Sequence, residues 1–572
     1  MEKEIHGIKI DLSRDKLFDE LGLKRLKESY MKEEEDSPQE RFAYVSHIFS
    51  SNKEHAQRLY EYSSRHWLSY STPILSFGRS KRGLPISCFL PYLHDSAEGL
   101  VDCLSEVNWL SMLGGGIGIG VGIRSADDKS VGVMPHLRTY DSSSLAYRQG
   151  RTRRGSYAAY LDISHPDILM FLEMRKPTGD QNMKALNLHH GINITNDFMQ
   201  IIEKCMIDPS ADDTWELKDP HNSEVKDKIS AKELWQRILE MRMHTGEPYL
   251  HFIDTSNEMM PEFQKKLGLS IKQSNLCSEI ILPTDKTRTA VCCLSSVNLE
   301  YFDEWKSNKL FLRDIAEMLD NVLSYFIDNA PSAIKRAKYS ASRERSIGVG
   351  ALGFHAYLQK NGIPWESALA TSANMRMFKH IKKKLDEANR ELGTERGEAP
   401  DAKGTGLRFC HVMAIAPNAS SSIIMGNTSP SIEPYRANAY RQDTLSGAYL
   451  TKNKFLDKIL KEKVKEEELA DIWSSIIAND GSVQHLSILS DDEKDIFKTA
   501  IEIDQRWIVD HAAHRQEFID QSQSVNLFFR PDVNIKYLHA VHFQAWKQKI
   551  KTLYYCRSEK IGKADKVSKK IE

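Results

Sequence analysis

The chain has 572 residues, of which 41% are hydrophobic and 27% are charged, a composition typical of a soluble globular protein. Its 78 basic and 79 acidic residues leave a net charge of −1, so no overall field attracts nucleic acid or an anionic membrane. We therefore expect no nucleic-acid partner and no membrane partner, and the lack of a signal-peptide core or a run of roughly 18 apolar residues predicts a cytoplasmic protein.

The predicted elements divide the chain into a helical start and an α/β remainder. Residues 1–65 form the predicted helical region, in which apolar residues recur every three or four positions and Ser37-Pro38 is a helix start signal. Over residues 66–556 short apolar or β-branched runs alternate with amphipathic helical stretches, which is typical of parallel strands covered by helices. The Lys-rich residues 557–572 are predicted to form a mobile tail.

A glycine-rich strand follows the first strand-like run, LPISCFL, which contains Ser87 and Cys88. In GGGIGIGVGIRS every second residue from Gly116 to Gly122 is glycine, and no G-x-G-x-x-G fits there, which disfavours a nicotinamide oxidoreductase. The pattern predicts a strand with one bare face, where another backbone or a ligand approaches closely, or else a purely structural crossing.

An arginine-rich loop, YRQGRTRRGSYAA, spans residues 147–159. Several guanidinium groups on one loop suit a nucleotide phosphate or a base edge. A solvated basic loop with acidic neighbours is the alternative.

The segment SNLCSEI carries the most suggestive group of side chains. If it is extended, Asn275, Cys277 and Glu279 point to one face, where a thiol lies beside a carboxylate that can act as a general base and an amide that can orient a hydroxyl group. A solvent-facing strand with a chance buried cysteine is the alternative. In AVCCLSSVNL the side chains of Cys292 and Cys293 should diverge on a strand, so only one should share a site with Cys277.

Eight scattered cysteines are too few for a secreted disulfide framework, and no C-x-x-C pair is present for zinc. We expect no metal site in this chain, and redox or radical chemistry for any cysteine that is not simply packed in the core.

Two further motifs lie near the C-terminal end. The run APNASSSIIMGNTSP places Asn418, Ser420, Ser421 and Ser422 before an apolar run, a pattern that can hold a phosphate at a helix start, although ordinary capping explains one serine. Thr72 and Ser87 offer further hydroxyl groups for the same anion. Tyr554 and Tyr555 are adjacent phenols that can exchange an electron and a proton, or can simply pack.

The order of these motifs over residues 65–556 resembles the catalytic subunit of class I ribonucleotide reductase, and SNLCSEI matches that family's N-L-C-x-E motif in full. The resemblance implies a ten-stranded α/β barrel threaded by a central finger loop and preceded by a small helical region. It also implies reduction of ribonucleoside diphosphates to deoxyribonucleotides, with no cofactor in this chain.

The resemblance assigns catalytic roles. Cys277 becomes the thiyl radical that removes the ribose 3′ hydrogen, Glu279 accepts the 3′ hydroxyl proton, and Asn275 binds the sugar hydroxyls. Cys88 and Cys292 form the pair that ends as a disulfide, with Cys293 as an alternate partner. Tyr554 and Tyr555 relay the oxidising equivalent from a metal-containing, radical-generating small subunit.

The resemblance also implies nucleotide sites. The substrate diphosphate is held by Thr72, Ser87, Asn418 and Ser420–Ser422, although Ala419 stands where many relatives carry glutamate. An effector, ATP or a deoxynucleoside triphosphate, binds at Asp95 in a homodimer interface. Gln149 and Arg153 lie on the loop that communicates the identity of the effector to the substrate site. This loop is richer in arginine here than is usual in the family.

Two departures from the family pattern are expected to matter. The distance to Cys88 leaves no room for the family's N-terminal ATP-cone domain, so we expect no dATP control through it. No cysteine follows Cys556, so an external thioredoxin- or glutaredoxin-like protein is the expected reductant unless the C-terminus is truncated.

Rival interpretations remain open at this stage. The adenosylcobalamin-dependent class shares the three cysteines but does not need the tyrosine pair, and the glycyl-radical class does not use this Asn-Cys-Glu face. A catalytically inactive, nucleotide-binding regulatory homologue could keep the barrel, but the intact cysteines and Glu279 argue against it.

Overall fold

A computed structural model describes residues 2–81, 83–147, 155–444 and 447–558. The α-helices are α1 (Glu20–Ser29), α2 (Pro38–Ile48), α3 (Lys53–Ser64), α4 (Thr72–Leu75), α5 (Ala97–Met112), α6 (Val133–Ala146), α7 (Ile168–Glu173), α8 (Asn196–Ile207), α9 (Ala231–Thr245), α10 (Ile253–Glu258), α11 (Glu262–Lys266), α12 (Phe302–Trp305), α13 (Phe311–Asn329), α14 (Lys335–Glu344), α15 (Phe354–Lys360), α16 (Ala368–Arg396), α17 (Ala419–Ile424), α18 (Lys454–Lys463), α19 (Glu466–Ala478), α20 (Asp491–Ile496), α21 (Gln505–Gln516) and α22 (Ile535–Lys547). Short 3-10 helices span Leu12–Leu17, Gln181–Met183, Leu299–Tyr301, Ser332–Ile334 and Pro400–Ala402.

The strands are β1 (Glu2–Ile5), β2 (Ile8–Asp11), β3 (Leu68–Tyr70), β4 (Cys88–Leu90), β5 (Tyr92–His94), β6 (Gly116–Gly122), β7 (Tyr157–Asp162), β8 (Leu188–Ile194), β9 (Thr214–Lys218), β10 (Val225–Ser230), β11 (Tyr249–Phe252), β12 (Ala290–Cys292), β13 (Leu294–Asn298), β14 (Gly348–Leu352), β15 (Ala439–Thr444), β16 (Gly447–Lys452), β17 (Leu527–Phe528), β18 (Thr552–Leu553) and β19 (Cys556–Arg557). No helix in these described ranges has the length and apolar character that a bilayer crossing requires.

The N-terminal region is mainly helical, as predicted, but it opens with the unpredicted hairpin β1–β2. Ser37 caps α2 by accepting from the Gln39 N–H, with Pro38 in the first turn, which confirms the predicted start signal. The helical stretch that follows this signal consists of two helices, α2 and α3, because Asn52 caps a new helix by accepting from the His55 N–H.

The main sheet has eight strands in the order β12-β4-β6-β7-β8-β11-β18, with β5 paired to β6 beside β4. The pairs from β4 to β11 are parallel, whereas β12 and β18 are antiparallel at its two edges. A second sheet has the order β14-β13-β3. Helices connect the parallel strands, as the alternating sequence pattern predicts.

The two sheets are joined on both sides. On one side β12 leads into β13 through a single residue, Cys293. On the other side extended segments bridge the sheets through backbone hydrogen bonds from Val349 to Val412 (2.8 Å), Ile415 to Ser522 (3.0 Å) and Tyr554 to Val525 (2.8 Å). The result is a closed α/β barrel whose strands divide between the two sheets and these segments.

A finger loop runs through the barrel against the bare face of β6. A side chain at Gly118 would meet the Ser274 carbonyl oxygen at 2.5 Å and the Asn275 Cα atom at 2.6 Å, and one at Gly120 would meet the Gln273 amide at 2.6 Å. The predicted close approach to the glycine strand is therefore confirmed, and the approaching backbone is the finger itself. The expected fold class, an α/β barrel with a central finger loop and a helical N-terminal region, is confirmed.

Candidate active site

The finger tip is a tight turn, so the extended segment predicted for SNLCSEI is wrong. The Asn275 N–H donates to the Ile280 carbonyl at 3.2 Å, and the Ser278 N–H donates to the Asn275 carbonyl at 3.4 Å. Ser278 has a φ of 68°, in the left-handed region, which reverses the chain direction there. Glu279 still shares one site with Cys277, because the turn folds both side chains into the same buried cluster of groups.

Hydroxyl groups from the barrel wall hold this turn in place. Three of them donate to backbone carbonyls of the tip: Tyr160 to Asn275 (2.7 Å), Ser524 to Cys277, and Thr552 to Ser278 (2.8 Å). They come from β7, from the segment that bridges the sheets and from β18. The sequence reasoning missed all three, since hydroxyl residues within strands carry no distinctive spacing. Only the position of Thr552, two residues before Tyr554, gave a hint.

Three thiols lie in succession beside the finger tip. Cys88 and Cys292 are directly opposite each other on the antiparallel strands β4 and β12. The Cys88 thiol is hydrogen-bonded to both Cys277 and Cys292. Cys293 points the other way, into the main hydrophobic core, where its thiol donates to the Leu319 carbonyl at 3.5 Å. The predicted divergence of the two adjacent cysteines is confirmed.

The environment of Cys277 and Cys292 keeps these two thiols protonated. Hydrogen bonding to Cys88, burial and the nearby Glu279 carboxyl raise the pKa of Cys277 well above its ordinary value. The same three causes raise the pKa of Cys292. No cation that would favour a thiolate contributes to either shift.

Glu279 and Asn275 provide the polar groups next to the thiols. Burial, with the charge of Cys88 adding to it, raises the pKa of Glu279 to about 8. The Ser524 hydroxyl donates to the Glu279 carboxylate at 3.3 Å. The Asn275 Oδ1 atom accepts from the Ile280 N–H at 3.1 Å, and the Asn275 side chain also lies within hydrogen-bonding reach of Glu279, where it acts to lower the pKa of that carboxyl. The amide and the carboxyl therefore lie side by side next to the thiols.

The tyrosine pair reaches from the thiols to the protein surface. The Tyr554 hydroxyl is hydrogen-bonded to the Cys277 thiol. The rings of Tyr554 and Tyr555 have centroids 4.3 Å apart, and Tyr249 lies 4.8 Å and 5.2 Å from them. Tyr554 is buried and Tyr555 is half-buried. Sequence reasoning missed Tyr249, which lies in β11, far from the tyrosine pair along the chain.

The predicted phosphate ligands gather at the rim near β13. Asn418 has a φ of 52° and does not cap α17; its Nδ2 group donates to the carbonyls of Ala351 and Ala416 instead. Ser422 donates to the Ala419 carbonyl at 2.8 Å, so ordinary capping does not account for the serine run. Ser296 in β13 donates to the Asn418 side chain at 3.3 Å.

Thr72 and Ser87 lie on neighbouring parts of the same rim. Thr72 is exposed in the first turn of α4, and the preceding residue, Ser71, donates its N–H to the Ser295 hydroxyl at 3.4 Å. The Ser87 N–H donates to the Cys292 carbonyl at 3.4 Å, which places Ser87 next to the thiol pair.

The predicted effector residues are described only in part. Asp95 follows β5, where its carboxylate accepts from the Arg124 N–H at 3.2 Å and lies 3.7 Å from the Arg124 guanidinium. Gln149 and Arg153 lie outside the described residues. Sequence reasoning missed Arg124, which directly follows the glycine strand.

One cluster has the residue types of a metal site but is already occupied by internal bonds. His55, Asp314 and Glu317 lie close together. Both imidazole nitrogens of His55 are used, by the Ser51 N–H and the Asp314 carbonyl, and Arg58 pairs with the Asp314 carboxylate at 2.7 Å. We read it as a structural ion-pair cluster.

Comparisons with known proteins agree with this geometry. Residues 16–83 match the family model for the ribonucleotide reductase all-alpha domain, and residues 86–404 and 400–556 match that for the barrel domain. The chain is 56% identical to a ribonucleoside-diphosphate reductase large subunit of Invertebrate iridescent virus 3, over 98% of this chain and 97% of that one. It is 48% identical to a putative large subunit of Frog virus 3, over 93% and 94% of the two chains. The solved α subunit of a class Id ribonucleotide reductase from Actinobacillus ureae superimposes with a TM-score of 0.84 and 34% identity, over 95% of this chain and 97% of that one.

Proposed function

The chain belongs to the ribonucleotide reductase family, as a large subunit of class I, and on this premise we propose which of its residues reduce the ribonucleotide. The relatives and the solved neighbour do not favour the adenosylcobalamin-dependent alternative. Membership of class I implies that a separate small subunit supplies the radical.

Three adjacent thiols, two of which are kept protonated by their surroundings, are the observation that carries the proposal. Cysteines that act as nucleophiles have lowered pKa values beside positive charge. Here burial and mutual hydrogen bonding raise the pKa values of Cys277 and Cys292 instead. A protonated thiol can give or lose a hydrogen atom but is a poor nucleophile, so the site suits radical chemistry.

In the proposed reaction Cys277 carries the thiyl radical. Its sulfur takes the 3′ hydrogen atom of the ribose, so that an S–H bond forms and the unpaired electron moves to C3′. Glu279 then accepts the 3′ hydroxyl proton, and the Nδ2 group of Asn275, next to Glu279, donates to a sugar hydroxyl.

Cys88 and Cys292 supply the proton and the two electrons that remove the 2′ hydroxyl group. The C2′–O bond breaks, and the oxygen takes the proton of one thiol and leaves as water. The hydrogen of the other thiol goes to C2′, Glu279 returns its proton to the 3′ oxygen, and the two sulfur atoms join in a disulfide. Cys277 returns its hydrogen atom to C3′ and becomes a thiyl radical again. The net change is one ribonucleotide and two thiols to one deoxyribonucleotide, one disulfide and one water. The directly opposed positions of Cys88 and Cys292 on β4 and β12 support this pairing.

Tyr554 and Tyr555 form the proposed relay into the site. The half-buried Tyr555 faces the surface, its ring is 4.3 Å from that of Tyr554, and Tyr554 is hydrogen-bonded to Cys277. An oxidising equivalent from the small subunit therefore has a continuous path to the thiol.

The rim residues Thr72, Ser87, Asn418 and Ser420–Ser422 are the proposed site for the substrate diphosphate. The N-terminal N–H groups of α17 are not capped by the Asn418 side chain, which leaves them free to bind an anion. Ser87 immediately precedes Cys88, the first residue of β4, which supports placing the sugar over the thiols.

Asp95 is the proposed effector contact, for ATP or a deoxynucleoside triphosphate, beside a homodimer interface built on α5 and α6. Val101 and Trp109 lie on one face of α5 and are 69% and 43% exposed, and Leu145 of α6 is 50% exposed. Exposed large apolar residues on two adjacent helices suit an interface with a second copy of the chain. Gln149 and Arg153 keep their proposed role in communicating effector identity.

A thioredoxin- or glutaredoxin-like protein is the proposed reductant of the disulfide. The eight cysteines are all free thiols, and turnover needs the Cys88–Cys292 pair to return to that state. This requirement supports a cytoplasmic location, where thiols are kept reduced.

The experiment that tests these roles is the conversion of CDP to deoxycytidine diphosphate by pre-reduced protein with dithiothreitol and an effector. The protein is supplied in parallel with its small subunit or with adenosylcobalamin. We expect product only with the small subunit. Product with adenosylcobalamin alone would keep the cysteine roles but refute the tyrosine relay.

Two adjacent cysteines give a matched pair of variants for the same assay. Cys292→Ser should abolish product formation, whereas Cys293→Ser should stay within about twofold of the wild type, since Cys293 lies in the main core. Equal activity of the two variants would refute the assignment of the reducing pair.

A further inference from the structure

A histidine lies beside the outer tyrosine of the proposed relay. The ring of His189, in β8, stacks on Tyr249 with a centroid distance of 6.2 Å and meets Tyr555 nearly edge-on at 6.4 Å. Its side chain is 27% exposed. His189 therefore connects the Tyr555 environment with the solvent.

A buried carboxylate fixes the orientation of this imidazole. The Nδ1 atom of His189 is hydrogen-bonded to Glu247, which is only 1% exposed. His190 donates to the other oxygen of Glu247 through its N–H at 3.1 Å and its Nδ1 at 3.0 Å, and the Arg175 guanidinium is 3.5 Å away.

Glu247 stays ionised in this position. Burial acts to raise its pKa, but the charges of His189 and Arg175 and the histidine hydrogen bonds outweigh burial and hold the pKa well below its ordinary value. An ionised carboxylate keeps the proton of a neutral imidazole on the adjacent nitrogen. In its neutral form His189 would therefore carry its proton on Nδ1, and Nε2, which bonds to none of the described residues, would have a free lone pair.

Oxidation of Tyr555 calls for a proton acceptor at this place. Burial, with the charge of Glu247 adding to it, raises the pKa of Tyr555 to about 12, so the phenol holds its proton. The Arg557 guanidinium lies 4.7 Å from the centre of the same ring. A cation there disfavours the positive charge of an oxidised phenol that has kept its proton, so the electron and the proton must leave together.

We propose that His189, anchored by Glu247, accepts the phenolic proton when Tyr555 is oxidised, either directly or through one water molecule. The electron passes to the radical of the small subunit, and the proton passes from the Tyr555 oxygen to the Nε2 atom of His189. Both return when the radical leaves the chain. This inference rests on the proposed relay role of Tyr555.

The groups that face His189 or its anchor would shape any pH dependence, and they are Glu247, His190, Arg175, Tyr249, Tyr555 and Arg557. Protonation of Nε2 by the solvent removes the acceptor.

The test uses the full chain with its radical-generating small subunit. His189→Phe keeps an aromatic ring against Tyr249 but removes the acceptor, and we expect turnover to fall by about 100-fold. In His189→Ala, added imidazole should restore part of the lost rate, in proportion to the neutral imidazole present. His221→Gln, at an exposed turn, is the control for losing a histidine and should match the wild type.

Folding and the relay need their own controls. His189→Phe removes one partner of the buried Glu247 and leaves those from His190 and Arg175. The double variant His189→Phe/Glu247→Gln removes the charge as well, and it should remain folded and slow. Turnover within twofold of the wild type in either Phe variant, or no rescue by imidazole in a folded His189→Ala, would overturn the inference. A fully active Tyr555→Phe would refute the relay and this inference with it, whereas an inactive Tyr555→Phe beside an unaffected His189→Phe would refute only the inference.

Discussion

Replacing Gly118 by alanine tests how closely the barrel wall sets the position of the Cys277 thiol. The added Cβ atom would lie 2.5 Å from the Ser274 carbonyl oxygen and 2.6 Å from the Asn275 Cα atom, against an ordinary contact of at least 3.4 Å. Both atoms belong to the backbone, so no side chain can rotate away. The finger must therefore shift by roughly 0.9 Å just before the residue that would remove the 3′ hydrogen.

A shift of this size has a predictable kinetic cost. Misplacing reacting groups by about 1 Å lowers a rate by about 100-fold, which corresponds to about 2.7 kcal/mol of activation free energy. The phosphate rim and α5 are not moved, so nucleotide binding and self-association should remain. Turnover of CDP with the small subunit measures the effect, and equilibrium binding of CDP separates a shifted finger from a lost site.

Gly348→Ala is the matched control on another barrel strand. Its added Cβ atom would lie 3.1 Å from the Ala414 Cβ and 3.2 Å from the Leu294 Cδ1, so these neighbours must move by only a few tenths of an ångström. Turnover should then stay within a few-fold of the wild type. If the Gly118→Ala and Gly348→Ala variants turn over CDP equally fast, the idea that β6 positions the finger is refuted.

Three further variants test separate parts of the site. Glu279→Gln should lower turnover by at least about 100-fold. Because the pKa of Glu279 is raised to about 8 and only the ionised carboxylate can act as the base, the wild-type kcat/KM should increase with pH and level off above about pH 8. The variant should lack this increase. Ser524→Ala leaves the Cys277 carbonyl without its donor, so the free energy of unfolding should fall by about 1–3 kcal/mol in chemical denaturation, whereas the exposed Ser474→Ala should change little. Tyr554→Phe should keep self-association and nucleotide binding but lose turnover, and retained turnover with the small subunit would remove the relay assignment.

Local patterns were sufficient to predict the β6 environment and the direction of the two adjacent cysteines. Alternating glycines can only mark a face that something approaches, and adjacent residues on a strand must point to opposite faces. Both inferences depend on strand geometry alone, which is why Gly118 and Cys293 lie where the sequence predicts.

The shape of the finger tip could not be predicted in the same way. Alternation of Asn275, Cys277 and Glu279 suggests a strand, but Ser278 takes a left-handed conformation that serine rarely adopts. The hydrogen bonds that stabilise this turn come from Tyr160, about 115 residues before it, and from residues near the C-terminal end. Such long-range contacts leave no periodic signal in the sequence.

The burial that protects the thiols also sets when Glu279 can act as a base. Removing water from the finger tip keeps Cys277 and Cys292 protonated, but the same loss of water raises the pKa of Glu279 to about 8, so its carboxyl is mostly neutral at pH 7 in the empty site. A bound ribose brings hydroxyl groups that can donate to the carboxylate and so favour its ionised form. Glu279 would then become available as a base only when the substrate is bound, so proton removal would require an occupied site. A thiyl radical in an empty site would then have less chance to react.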